Sequence, residues 1–117
     1  MSDLHTISKV HPAGYRELRP EEATQHLAAL HLVDVREPDE FAGPLGRIAG
    51  AELVPLGTLP GAASAWERNG ATLVICRSGN RSGKAAAALA QQGFTEVYNL
   101  VGGMLRWNEL GFPVERA

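Results

Sequence analysis

The run Thr72-Leu73-Val74-Ile75-Cys76 is continuous, apolar and rich in β-branched residues, and Gly70 and the polar Arg77-Ser78-Gly79 bound it on either side. That composition is the signature of a β-strand, and an unbroken apolar strand must be covered on both of its faces. The alanine-rich stretch Ser82 to Gln92 follows and reads as a helix stopped by Gly93-Phe94, with glycine as C-cap and Phe94 turning back onto Leu89. A buried strand followed at once by a helix is half of a parallel crossover unit.

The rest of the chain repeats this alternation. Gly14 to Leu18, Leu32 to Val35, Ala51 to Val54 and Val97 to Leu100 read as further strands. Pro20-Glu21-Glu22 opens a helix, with proline where no amide partner is needed and acids at the positive dipole end; Ala23, Leu27 and Leu30 give it an apolar stripe. Ala62 to Asn69 reads as a helix ending at Gly70, and a last helix begins near Gly103 and stops at Gly111-Phe112-Pro113, with Phe112 folded onto Trp107. These elements predict an α/β fold: an open, mostly parallel five-stranded sheet with helices on both faces. At 117 residues, 44% of them apolar and 21% charged, the chain fits one folded domain, residues 1–117, with its core roughly in 14–114.

Charge and segment composition exclude several classes. Eleven Lys and Arg against thirteen Asp and Glu give −2, too balanced for a surface that grips nucleic acid throughout. Met1 to Val10, with Asp3, His5 and Lys9, has the features of neither a signal peptide nor an anchor, and no window approaches a membrane span, so no membrane is expected. The single cysteine permits no internal disulfide and favours a reducing, cytoplasmic setting. His5, His11, His26 and His31 lack metal-ligand spacing with a second donor, so no metal is expected.

Chemistry concentrates between the strongest strand and the alanine-rich helix. Open α/β sheets bind ligands at the C-terminal ends of their strands, where Cys76 falls. The loop Arg77-Ser78-Gly79-Asn80-Arg81-Ser82 is small and polar, and its glycine permits the backbone to curl successive N–H groups around an anion. From Arg68 to Phe94 the chain carries Arg68, Arg77, Arg81 and Lys84 and no acid. A thiol that ordinarily titrates near ~8.5 drops to ~3.5–7.5 beside cations at a helix N-terminus, so Cys76 is expected to be a reactive thiolate. A lone cysteine at a strand end is often only a small core residue, and the loop could instead be a phosphate-binding turn, though it lacks the Gly-Lys-Ser/Thr ending of a nucleotide loop.

Asp34 and Arg36 flank Val35 and should point together at the strand end, as scaffold for neighbouring loops. Trp66, Trp107 and Phe112 are expected in the core, with Trp107 the better candidate for a pocket wall. Glu37, Asp39 and Glu40 should cap a short helix and be solvated.

Four ordered segments resemble the single-domain rhodaneses of the thiosulfate sulfurtransferase superfamily. They are the cysteine loop itself, Val33-Asp34-Val35-Arg36-Glu37-Pro38-Asp39-Glu40-Phe41, Gly46-Arg47-Ile48-Ala49-Gly50-Ala51, and Leu100-Val101-Gly102-Gly103-Met104-Leu105-Arg106-Trp107. The third departs from the usual pattern at Arg47 and Ala49, where histidine and proline are customary. The resemblance implies that the Cys76 thiolate takes sulfane sulfur from thiosulfate or a related small donor, carries it as a persulfide and yields it to cyanide or a thiol. Arg77, Ser78, Gly79, Asn80, Arg81 and Ser82 would bind the substrate, with no cofactor. Two alternatives stay open: a non-enzymatic sulfur carrier serving a protein acceptor, and a cysteine-dependent phosphatase or arsenate reductase. The latter have a longer loop between cysteine and arginine than the four residues separating Cys76 from Arg81.

Overall fold

In the computed structural model, which describes residues 4–116, Ala71–Ile75 is a central strand, paired in parallel with His31–Asp34 on one side and Glu96–Leu100 on the other. The readings at Met1–Asp3 and at Ala117 lie outside the described residues. In chain order the elements are α1 (Leu4–Ile7), β1 (Lys9–Val10), β2 (Arg16–Leu18), α2 (Pro20–Ala23), β3 (His31–Asp34), α3 (Pro38–Phe41), β4 (Glu52–Leu53), α4 (Leu59–Ala63), β5 (Ala71–Ile75), α5 (Asn80–Gln91), β6 (Glu96–Leu100) and α6 (Gly103–Glu109). The sheet order is β1-β2-β6-β5-β3-β4, and every pairing is parallel except β1 with β2.

Side-chain alternation along β5 divides the core. Leu73 and Ile75 face one layer with Leu32, Tyr98, Leu100, Met104 and Trp107, roofed by α2 and α6. Val74 and Cys76 face the other with Val33, Val35, Val97, Ala85, Ala86 and Leu89, roofed by α4 and α5. Leu73, Val74 and Ile75 are fully buried, each contributing roughly 1.5–3 kcal/mol of burial free energy. The alanines of α5 let that helix lie close on the sheet and carry its N-terminus to the end of β5.

The sheet has six strands where five were expected. The extra one, β1, is a two-residue antiparallel edge paired to β2; both of its residues are exposed, so it has no apolar pattern. The expected helix through Leu30 is also cut short. After Ala23 the amides of Gln25 and His26 bond three residues back, and the apolar stripe continues only as a 3₁₀ turn, Leu27–Ala29. Thr24 and His26 propagate a helix poorly, and the chain must extend at Leu30 to enter β3. The helix expected over Ala62 to Asn69 lies earlier, as α4 at Leu59–Ala63, because Pro60 sits in its first turn, where proline is tolerated. Both glycine stops behave as expected: Gly93 and Gly111 have positive φ, and the Phe94 and Phe112 amides donate back to the Leu89 and Trp107 carbonyls.

Candidate active site

Cys76 is the first residue past β5, and α6 holds the backbone beneath it. The Met104 amide donates to the Cys76 carbonyl (2.9 Å) and the Leu105 amide to the Arg77 carbonyl (3.0 Å). This approach is possible only because residue 103 is glycine. A Cβ there would lie 2.4 Å from the Cys76 oxygen and 2.6 Å from the Arg77 carbonyl carbon, at a φ of +56°. Gly79, at φ +104°, fits against the Gly102 amide from the other side. The late Gly-Gly pair thus forms the floor of the cysteine loop.

With its carbonyls tied downward, the loop turns its donors toward the sulfur. Cys76 Sγ accepts from the Gly79 amide at 3.0 Å and lies 3.3 Å from Ser82 Oγ. Cys76 is only 1% exposed, and burial alone would push its thiol up. Hydrogen bonds from the Ser82 hydroxyl and from the Ser82, Gly79 and Ser78 backbone outweigh that effect and bring it below its ordinary value. Ser82 is itself fully buried beneath the loop, beside Asn99 of β6.

The arginines divide by partner. Arg81 is held in a bidentate pair by Glu40 of α3, Nη1 to Oε1 at 2.7 Å and Nη2 to Oε2 at 2.8 Å. That guanidinium holds the Glu40 carboxyl down at about 2, against an opposing contribution from partial burial and with help from the Glu37 amide. Glu37 and Glu40 cap α3 as expected, but Glu40 is not simply a solvated acid: it neutralises a loop arginine forty-one residues away in sequence. Arg36 is fully committed as well. It grips Asp34 through Nε (2.9 Å to Oδ1) and Nη2 (2.8 Å to Oδ2), and donates to the Gly46 and Glu40 carbonyls. This is the scaffold role expected of the pair.

Arg77 alone among these arginines is exposed with a guanidinium that has no hydrogen bond or ion pair to a described residue. With Arg36, Glu40, Pro44 and Leu45 it lines a cleft of about 360 Å³. Ser78 and Asn80 are exposed on the loop, and Gly79 is half-buried between them. Trp107 does not form a pocket wall. It is buried on the α6 side of the sheet, edge-on to Phe112, with its indole N–H on the Pro113 carbonyl. None of the histidines is bonded to the loop: His31 pairs with Glu52, and His11 stacks on Tyr15. Among the described residues no cluster of three or more His, Cys, Asp or Glu could hold a metal ion, and no helix is long and apolar enough to cross a membrane.

Comparison with known proteins agrees with this architecture. The rhodanese-like domain family matches residues 19–110, and the chain belongs to that family. Among its relatives are a protein named sulfurtransferase from Allochromatium vinosum, 38% identical over 101 residues, or 84% of this chain and 92% of that one, and thiosulfate sulfurtransferase GlpE of Pseudomonas aeruginosa, 34% identical over 115 residues, 98% of this chain and 94% of that one. The uncharacterized protein YqhL of Bacillus subtilis is 38% identical over 81% of this chain, which spans only 64% of YqhL. A rhodanese-related protein from Thermoplasma volcanium superposes with a TM-score of 0.77 at 34% identity, covering 85% of this chain and 96% of that one. The polysulfide-sulfur transferase homodimer of Wolinella succinogenes gives 0.75 at 28%, covering 90% and 81%.

Proposed function

We propose that this protein is a thiosulfate-type sulfurtransferase acting through a persulfide on Cys76. The observation that carries the reading is a buried cysteine sulfur bonded by a loop amide and approached by a buried hydroxyl, at the C-terminal end of the central strand, with its thiol brought below its ordinary value. The thiolate attacks the outer sulfur of thiosulfate, a new S–S bond forms, and sulfite leaves with the electron pair of the broken one. The resulting persulfide anion replaces the thiolate as the charge facing the loop amides. Cyanide or a thiolate acceptor then takes the terminal sulfur and returns the electron pair to Cys76. Each half-reaction exchanges one anion for another, so a fixed nest of donors serves both without a cofactor.

The near-complete burial of Cys76 favours small donors, and unpaired Arg77 at the adjoining cleft supplies their attraction. Arg81, held by Glu40, contributes through the loop's shape and through a weaker attraction between its guanidinium and the Cys76 charge. The same pair weighs against phosphatase or arsenate reductase chemistry, which needs a free guanidinium to clasp a tetrahedral oxyanion. A single free cysteine that must stay reduced to react suits a cytoplasmic setting, and a protein thiol would serve as acceptor as well as a small one.

Initial rates with thiosulfate and cyanide varied together test the scheme: parallel double-reciprocal lines are expected, and loss of turnover in Cys76→Ser. Intersecting lines would contradict a covalent sulfur intermediate. No turnover with free thiosulfate, but activity on adding a protein acceptor, would favour the carrier reading.

A further inference from the structure

Asn99 stands out on β6 as a polar side chain only 3% exposed in an otherwise apolar strand. Its Nδ2 donates to the Gly79 carbonyl at 3.2 Å, which fixes the amide plane and leaves Oδ1 facing Ser82. The Ser82 hydroxyl has two acceptors within reach, Asn99 Oδ1 at 2.5 Å and Cys76 Sγ at 3.3 Å, and only one proton. With the hydroxyl given to Asn99, the Ser82 oxygen presents lone pairs to the sulfur. That arrangement suits a protonated thiol, whose S–H can donate to Ser82, and opposes a thiolate. Once the thiol proton passes to water, the favourable arrangement is the reverse one, with the hydroxyl turned to sulfur and Oδ1 left without it.

We propose that Asn99 is a positioning residue that competes with the Cys76 sulfur for the single hydroxyl proton of Ser82, so that the hydroxyl rotates between amide and sulfur as the cysteine changes charge. Asn99 therefore acts against the thiolate, while Ser82 acts for it. On the proposed persulfide pathway, the hydroxyl would be on sulfur whenever charge resides on Sγ and on Asn99 when Sγ is the neutral inner atom of the persulfide. The titratable and charged groups around the loop leave this competition to Ser82 and Asn99. Arg81 of α5 is paired with Glu40 of α3 and attracts the Cys76 charge only through space, equally in wild type and Asn99 variants, and Asp34 and Arg36 beyond β3 are paired with each other. Glu37 lies beyond that Arg81 pair, Lys84 and Arg77 have no bond to the sulfur, and the Tyr15 phenol in the same core layer is raised and stays neutral.

The test is the Cys76 titration, read from the thiolate's ultraviolet absorbance and the pH dependence of iodoacetamide alkylation; with one cysteine in the chain, both signals belong to Cys76. No sulfur donor is present, so the outcome is independent of whether sulfur transfer occurs. Asn99→Ala and Asn99→Val should lower the midpoint by about 0.5–1 pH unit, the size of one neutral hydrogen bond, and Ser82→Ala should raise it. In the Ser82→Ala background the Asn99 effect should vanish. A midpoint that rises or stays in the Asn99 variants, or falls equally with and without Ser82, would overturn the proposal. In the wild type, independently of any variant, the Asn99 side-chain amide resonances should move with the same midpoint, and their indifference through the titration would also overturn it.

Discussion

At the scale of single residues, the site pairs Arg81 with Glu40 and Arg36 with Asp34, turns a loop amide and the Ser82 hydroxyl toward Cys76, and leaves the Arg77 guanidinium unpaired. Cys76 is brought below its ordinary titration range by the Ser82 hydroxyl and the loop amides against the effect of burial, and this fixes a sign for pH dependence. Thiolate, and with it the rate of donor attack, is fully present above the folded value and is lost as pH falls through it. Alkylation rates across pH should therefore show a midpoint below about 8.5, and a midpoint at or above that figure would contradict the account. Arg77 is the exposed cation lining the cleft, its side chain paired with no described residue, so Arg77→Ala should raise KM for thiosulfate roughly 3–10-fold with little change in kcat, and the difference should shrink with added salt. Much of this was legible in the sequence: the cysteine, its loop and the nearby cations are contiguous from Cys76 to Ser82. Glu40 and Asn99 were not legible as members of the site. Glu40 is read locally as a helix cap, which it is, and nothing in its own segment announces an arginine forty-one residues on. Asn99 did leave a trace, since a polar residue in a buried strand must find partners, but the trace does not say which ones.

At the scale of elements, the active loop is a joint between β5, α5 and α6, and its precision depends on glycines that permit close backbone approach. Gly103→Ala would drive a methyl group into the Cys76 and Arg77 carbonyls at an unfavourable φ, costing about 2–4 kcal/mol of stability. Activity should fall further than folding requires, because the strain falls on the loop. Thermal unfolding beside the turnover of the folded fraction measures both, and a fully active, equally stable variant would contradict the joint. The Glu40–Arg81 pair links α3 to α5. Glu40 is depressed to about 2, so its contribution is present above the ordinary carboxylate range and is lost as pH falls from about 4.5 through 2. Both side chains are partly exposed, at 26% and 35%, and solvent screening limits the pair to about 1 kcal/mol. In Glu40→Gln the acid limb of the stability curve should flatten by that amount. Strong apolar runs and glycine stops made β3, β5, β6, α5 and α6 readable in sequence. The α2 and α4 regions were misread where a stripe or a proline admits two continuations and tertiary packing chooses between them.

Across the whole molecule, the two sides of the sheet do different work. The α4–α5 side carries the thiol, while the α6 side carries Trp107, Met104 and the amides that hold the loop from below. The buried Asp34–Arg36 pair joins the end of β3 to α3 and to the turn at Gly46, and thereby closes the cleft beside Arg77. Asp34→Ala would strand a buried guanidinium and should cost about 3–5 kcal/mol, read as a lowered denaturant midpoint, whereas an unchanged midpoint would show that the pair is not what joins these segments. These supports converge on one claim, that Cys76 takes and holds a sulfur atom. It is tested most directly by incubating the reduced protein with thiosulfate, removing the excess and measuring the intact mass beside Cys76→Ser. The account predicts a gain of one sulfur, about 32 Da, that cyanide removes and the variant never acquires. An unchanged mass in the folded wild-type protein would contradict it.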